Sequence, residues 1–219
     1  MTTIRNIAGL IIEGVCGSGK STVLRELAQS AQFQSRPGLS TIVLSEHQTQ
    51  RVLESKERSD GLKPADNIDL LDQHVKYLED LNDRLVQMPW AENGRSNMRL
   101  AYIFERFHLT HVSHYEHISW EDVQEIDNRL SRLHCKAILL TADRAVLEQR
   151  TISGRDSDWR KYIERFGESD TEILDHYVSQ QSLLQTLCDK SKLDTLAVDT
   201  SEIDIETALN CIIKHWGIA

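Results

Sequence analysis

The stretch Gly14-Val15-Cys16-Gly17-Ser18-Gly19-Lys20-Ser21 fits the phosphate-binding pattern G-x-x-x-x-G-K-[ST] at every specified position. Each residue type has a physical task. Glycines let the backbone wrap an anion with its N–H groups turned inward, at dihedral angles that a Cβ resists. Gly14, Cys16, Gly17, Ser18, Gly19 and Thr22 belong to that wall, Lys20 reaches toward the β- and γ-phosphates, and the Ser21 hydroxyl suits Mg²⁺. At average residue frequencies a match arises in about one chain in a hundred of this length. The flanks narrow the odds further. Ile7 to Ile12 is a short apolar run that reads as a buried strand, and Ser21 to Ala28 reads as a helix start. Strand, glycine loop and helix in that order imply a nucleoside triphosphate site. As a loop lysine, Lys20 is expected to stand exposed until ligand arrives.

Outward from the loop, strands and helices alternate. Arg36-Pro37-Gly38 makes a turn, and Ser40 to Leu44 reads as a second strand ending on the polar tail Ser45-Glu46-His47. Open α/β sheets keep their working residues at such carboxyl edges. A mostly helical excursion spans about 47–98, closed by Pro89, Asn93 and Gly94. Within it Leu71, Val75, Leu78, Leu81 and Leu85 recur at three- and four-residue spacing, giving one apolar face for core packing or for a homodimer. Leu100 to Phe104 is a third strand leading into Glu105-Arg106-Phe107-His108, and Lys136 to Leu140 a fourth. A helix from about Arg144 to Arg150 precedes a polar stretch, Thr151 to Arg160, with Arg150, Arg155, Arg160 and Lys161 in or beside it. Helical sequence resumes through Leu187, Leu193 to Val198 is the last strand, Asp199-Thr200-Ser201 its loop, and Glu206 to Trp216 the closing helix. The pattern predicts a single α/β domain over 1–219: five parallel strands with helices on both faces.

Composition agrees with one core of useful size and no repeats. Charged residues make up 27% and the net charge is −9, which argues against a nucleic-acid surface. Cys16, Cys135, Cys188 and Cys211 form no paired spacing, as fits free thiols in a reducing cytosol. The apolar run at Ile7–Ile12 is too short for a signal core and is interrupted by Glu13. Nothing approaches the ~18 apolar residues of a membrane span, so a cytoplasmic protein is expected.

Glu13-Gly14 joined to Gly17-Ser18-Gly19-Lys20-Ser21-Thr22 resembles the opening of the thymidylate kinases and deoxynucleoside kinases. Glu105-Arg106 is similar to the acidic residue and arginine those families carry after the third strand. Gln149-Arg150-Thr151-Ile152-Ser153-Gly154-Arg155 resembles their basic lid (here about 150–161), and Val198-Asp199-Thr200-Ser201 their base-binding loop. The resemblance covers nearly the whole chain in order. It implies a P-loop NTPase fold, ATP and Mg²⁺ as cofactors, and transfer of the γ-phosphoryl to a small-molecule acceptor. There are departures. Those families end the second strand on Glu-Pro, with arginine before the glutamate in thymidylate kinases, whereas this chain has Ser45-Glu46-His47. Ser153 stands where the deoxynucleoside kinase lid tends to carry a further arginine.

For the site, the resemblance implies Glu46 as the base for an attacking hydroxyl; the alternative is an exposed carboxylate at a strand end. Glu105 with Ser21 suits Mg²⁺, and Arg106 can clamp phosphoryl or acceptor groups, unless the two form a structural ion pair. Arg150, Arg155 and Arg160 are expected to close over the triphosphate or else to lie on a solvated helix surface, with Thr200 lining the nucleotide site. His108, His111, His114 and His117 recur every third residue, a spacing that drifts around a helix and does not converge on one ion; His108 is the expected substrate contact. Without the arginine before Glu46, a monophosphate acceptor needs another cation, Arg51 or Arg99, and a neutral hydroxyl acceptor is favoured. A small-molecule kinase acting on an antibiotic hydroxyl and a non-catalytic nucleotide switch remain open alternatives.

Overall fold

The computed structural model describes residues 6–30, 39–59, 61–88, 99–153 and 156–218. Its first strand, β1 (Ile7–Glu13), is buried at every residue. Ile7 and Ile11 pack into one core, while Ala8, Leu10 and Ile12 pack into another. A strand that is apolar on both faces needs cover on both, which suits a parallel sheet between helical layers. Gly9, on the Ile7 face, contributes no side chain because the Tyr102 ring occupies its place: a Cβ there would lie 2.0 Å from Tyr102 Cζ.

Around β1 the chain winds α1 (Lys20–Gln29), β2 (Ser40–Leu44), the short helices α2 (Glu46–Thr49) and α3 (Glu54–Ser59), and the long α4 (Pro64–Val86). There follow β3 (Leu100–Glu105), α5 (His108–His114), α6 (Trp120–Arg132), β4 (Cys135–Thr141), α7 (Arg144–Thr151) and α8 (Ser157–Ile163). The chain closes with α9 (Asp170–Lys190), β5 (Asp194–Asp199) and α10 (Ile205–Trp216). The five strands form one sheet in the order β2-β3-β1-β4-β5, and every pairing is parallel. One face carries α4 and α6 through Leu71, Val75, Leu78, Val123, Ile126 and Leu130. The other carries α1 and α10 through Val23, Leu27, Ala208, Ile212 and Trp216. A third cluster joins Val15 of the loop to α7, α8 and α9 through Leu147, Ile163, Ile173 and Leu184.

The five-stranded parallel sheet expected from the sequence is present. The leucine stripe of α4 belongs to its core: Leu71, Val75 and Leu78 are fully buried, with Leu81 and Leu85 packed against them. Several boundaries differ. β1 runs on through Glu13 and β3 through Glu105, because Ile12 pairs with Glu105 and Glu13 with Leu139. β5 extends to Asp199, which pairs with Thr141. The tail after β2 is not extended; Glu46 begins α2. Arg36-Pro37-Gly38, Pro89, Asn93, Gly94, Gly154 and Arg155 lie outside the described residues. No helix among the described residues is long and apolar enough to cross a membrane.

Candidate active site

The phosphate loop joins β1 to α1 at the carboxyl edge of the sheet, beside the point where the strand order reverses. Its glycines answer to geometry. Gly14, Gly17 and Gly19 have φ of 145°, 79° and 95°. A Cβ on Gly17 would also lie 2.7 Å from Thr151 Cγ2, at the end of α7, whereas one on Gly19 would meet nothing within 4 Å. Gly19 is the N-cap of α1 and supplies no side-chain bond, so the first N–H groups of the helix face the loop.

Lys20 departs from expectation. It is 5% exposed, and its ammonium donates to the Val15 carbonyl at 2.9 Å. Burial, with Arg106 beside it, draws its pKa from 10.5 down to about 8, against the pull of Glu105 and Glu46. The Ser21 hydroxyl donates to Glu105 Oε1 at 2.9 Å across 84 residues of sequence. This pairs an uncharged oxygen with a carboxylate at the mouth of the loop, a donor set that fits a hard cation such as Mg²⁺.

Arg106 follows β3 in a left-handed conformation, φ 56°, unusual for a residue with a Cβ. Its N–H still bonds Ile12 O at 3.0 Å, so the chain turns immediately after the last ladder bond. The turn sends the guanidinium to Glu46, Nε to Oε2 at 2.9 Å, with Arg51 Nη1 3.7 Å from the other carboxylate oxygen. Burial raises the Glu46 pKa; Arg106, Lys20 and Arg51 together outweigh it and hold the carboxyl below its ordinary value. Glu46 is therefore neither isolated nor fully exposed. Behind it, the Thr49 hydroxyl donates to Glu105 O at 2.6 Å, tying α2 to the end of β3.

Two adjoining cavities open on this edge. One, of about 720 Å³, holds Gly17, Gly19, Lys20, Ser21 and Thr22 with Arg150 and Thr200. The other, of about 380 Å³, lies between α2, α8 and α9 and is lined by Arg51, Glu54, Tyr162, Arg165, Tyr177 and Gln180 among others. Cys16, Glu46, Arg106 and Trp159 line both. Arg150 spans the base of the first cavity, donating to Thr200 Oγ1 at 2.9 Å, Thr200 O at 2.8 Å and Gly17 O at 3.3 Å. The Thr200 hydroxyl in turn lies 3.1 Å from Ser18 O.

Of the arginines expected in a lid, Arg160 takes the surface alternative, pairing with Glu164 at 3.3 Å and Asp170 at 2.5 Å. Arg155 is outside the described residues. His108 corrects its expectation. It is fully buried with Nε2 3.0 Å from Asp127 Oδ1, packed toward α6 and lining neither cavity. His111 and His117 share Asn67: its amide NH₂ meets His111 Nδ1 at 3.1 Å and its oxygen meets His117 Nε2 at 2.9 Å. His111 Nε2 donates to Thr49 O at 2.8 Å, and burial lowers its pKa to about 4. These rings brace α2 and α4 on α5. His114 alone of the run reaches the second cavity, kept neutral by burial and by Arg106 and Arg165, with a pKa of about 4. Arg99 is at the opposite end of the sheet, before β3, bonded to Asn6 and Ser40.

Glu13 carries no assignment in the sequence, yet it is fully buried and accepts from the Phe107 N–H at 3.1 Å and from the Thr110 hydroxyl. It fixes the start of α5 and so the turn that aims Arg106. Arg165, Tyr177 and Gln180 were also missed, since helical spacing alone does not separate a residue facing a core from one facing a cavity.

Neither a protein-family model nor a curated protein matches the sequence. Solved structures do match in fold. The YorR protein of Bacillus subtilis, in complex with phosphorylated GDP, superposes with a TM-score of 0.57 at 16% identity, covering 94% of each chain. Shikimate kinase from Acinetobacter baumannii, in complex with shikimate, gives 0.52 at 13% identity over 96% of this chain and 93% of that one. Thymidylate kinase from Ehrlichia chaffeensis gives 0.51 at 13% identity over 95% and 97%. The likeness is one of fold: a five-stranded parallel sheet with the phosphate-loop motif after its first strand, shared with these solved structures.

Proposed function

We propose that the chain is a single-domain phosphotransferase that moves the γ-phosphoryl of ATP, with Mg²⁺, to the hydroxyl of a nucleoside or similar small acceptor. The observation that carries this reading is the meeting of the two cavities at Glu46 and Arg106, with Lys20 and the phosphate loop on one side. One cavity is suited to the donor, the other to the acceptor. Kinase neighbours of the same fold support the class of reaction.

In this reading the loop N–H groups, Lys20 and Arg150 hold the triphosphate and oppose charge that spreads onto the transferred group. Ser21 and Glu105 would hold Mg²⁺, which supplies charge neutralisation between the phosphates. Arg106 keeps Glu46 ionised and aimed at the junction. There the carboxylate accepts the hydroxyl proton as the new P–O bond forms, a transfer that a loose transition state asks of even a weak base.

Charge in the second cavity favours a neutral acceptor. Glu46, Glu54, Asp156 and Asp158 stand against Arg51, Arg106 and Arg165. Arg51 is bound to Glu54 at 2.6 Å, and Arg106 to Glu46. A monophosphate is the second reading, favoured by Arg165, which makes no ion pair with a carboxylate among the described residues. ADP release screened across nucleosides, hydroxylated natural products and nucleoside monophosphates tests the choice. We expect turnover with a neutral hydroxyl compound. Efficient turnover of monophosphates alone would replace it with the second reading, and nucleotide binding with no acceptor-dependent ADP release would leave a switch.

A further inference from the structure

Glu46 stands at the first position of α2, a helix of four residues. A single turn does not hold itself in place, since most of its backbone groups lack partners within it. Apolar packing adds little, because of those four residues Thr49 alone is buried. The helix is therefore placed by the way Thr49 is tied. Its hydroxyl donates to Glu105 O at 2.6 Å, and its carbonyl accepts from His111 Nε2 at 2.8 Å. One bond fastens α2 to the end of β3, the other to α5.

The bond from His111 has one direction. A carbonyl has no proton to give, so His111 Nε2 carries one. Burial keeps the ring neutral, with a pKa of about 4, and His108, His74 and His117 push the same way against the pull of the Thr49 carbonyl. A neutral ring leaves Nδ1 an acceptor, and the Asn67 amide NH₂ meets it at 3.1 Å. The Asn67 oxygen then faces His117, whose Nε2 donates to it at 2.9 Å. Asn67 and His111 are fully buried, so a turned amide would set its oxygen against the lone pair of Nδ1 where no water can intervene. Each bond in the series thus fixes the next, from His117 through Asn67 and His111 to Thr49. We infer that Asn67 and His111 are positioning residues for phosphoryl transfer: they lock Thr49, and with it Glu46, at the junction of the two cavities. This rests on Glu46 being the base of the proposed function.

Two substitutions separate positioning from general support. Asn67→Leu removes both bonds and frees the His111 ring. Asn67→Asp offers oxygens alone, so both nitrogens of His111 must carry protons, and the imidazolium still donates to Thr49 O. The test combines ¹⁵N spectra of the histidine rings, amide hydrogen exchange and kinetics with the acceptor found by the ADP-release screen. In the wild type at about pH 7, His111 should be the neutral Nε2–H tautomer. Asn67→Leu should speed exchange at Gln48, Thr49 and Gln50 about tenfold or more while α1 stays protected. It should also lower kcat about ten- to a hundredfold, with KM for ATP within about twofold. Asn67→Asp should show a charged His111, slow exchange in α2 and kcat near the wild type. The inference is overturned if wild-type His111 carries its proton on Nδ1, or if Asn67→Asp fails as badly as Asn67→Leu. Exchange that rises throughout the chain, with ATP affinity falling alongside kcat, would overturn it as well. Loosening confined to α2, with no acceptor turned over even by the wild type, would sustain the lock on Glu46 while removing the proposed activity. Turnover that Asn67→Leu leaves unchanged would do the reverse.

Discussion

Lys20 sits beneath its own loop, with its ammonium on the Val15 carbonyl and a pKa drawn down to about 8. A triphosphate in the loop restores the charge, because phosphate oxygens favour the protonated amine. Binding is therefore linked to proton uptake, and the sign follows from the shift. Affinity is fully present below the free lysine's pKa of about 8 and declines as pH rises past it. Titration of ATP in buffers of unlike ionisation enthalpy should give uptake approaching one proton at about pH 9 and little at about pH 7. Equal, negligible uptake at both would mean that the lysine is as solvated as an ordinary surface residue. The sequence located this residue by its motif but not its burial. The charges beside it, Arg106 and Glu105, reach Lys20 only through the pairing of β3 with β1. The same limit hid Glu13: a glutamate after an apolar run looks like a strand end, and only the Phe107 N–H and Thr110 hydroxyl reveal it as a buried acceptor.

The elements were legible because each strand of this sheet is a short apolar run, and the loops after them carry the polar residues. Their ends were less so. Whether Asp199 belongs to a strand depends on its partner Thr141, and whether Glu46 opens a helix depends on Thr49 bonding back to Ser45 O and to Glu105 O. The histidine run looked like a site at one end and is mostly bracing, since His108 and His111 find Asp127, Asn67 and Thr49 only in three dimensions. A packing prediction follows from β1 and β3. Gly9→Ala places a methyl within 2.3 Å of three Tyr102 ring-end atoms, in a strand with no freedom to retreat. The Tyr102 ring must move into a full core, so the protein should lose about 1–3 kcal/mol or more. The urea midpoint measures this, and an unshifted midpoint would mean that Tyr102 does not fill the space above Gly9.

At the scale of the molecule, the two cavities are built from residues that the sequence keeps far apart. Cys16 comes from the phosphate loop, Glu46 from the first turn of α2, Arg106 from the turn after β3 and Trp159 from α8, and the four line both spaces. The sequence named Cys16, Glu46 and Arg106 separately, by strand ends and motif, because a parallel sheet gathers such ends at one edge. It did not indicate that α8, α9 and the turn between them would close the second cavity with Tyr162, Arg165, Tyr177 and Gln180. That depends on the packing of Ile163, Ile173 and Leu184 under the loop. If the arrangement is a donor chamber opening onto an acceptor chamber, phosphate must pass between them and not simply escape to water. The measurement that decides it follows the fate of a labelled γ-phosphoryl group in the presence and absence of a hydroxyl acceptor, in the wild type and in Lys20→Ala. We predict label in the acceptor with the wild type, dependent on that acceptor, and loss of at least about a hundredfold in Lys20→Ala with its fold intact. Label released only as inorganic phosphate whether or not acceptor is present, or equal transfer by Lys20→Ala, would contradict it.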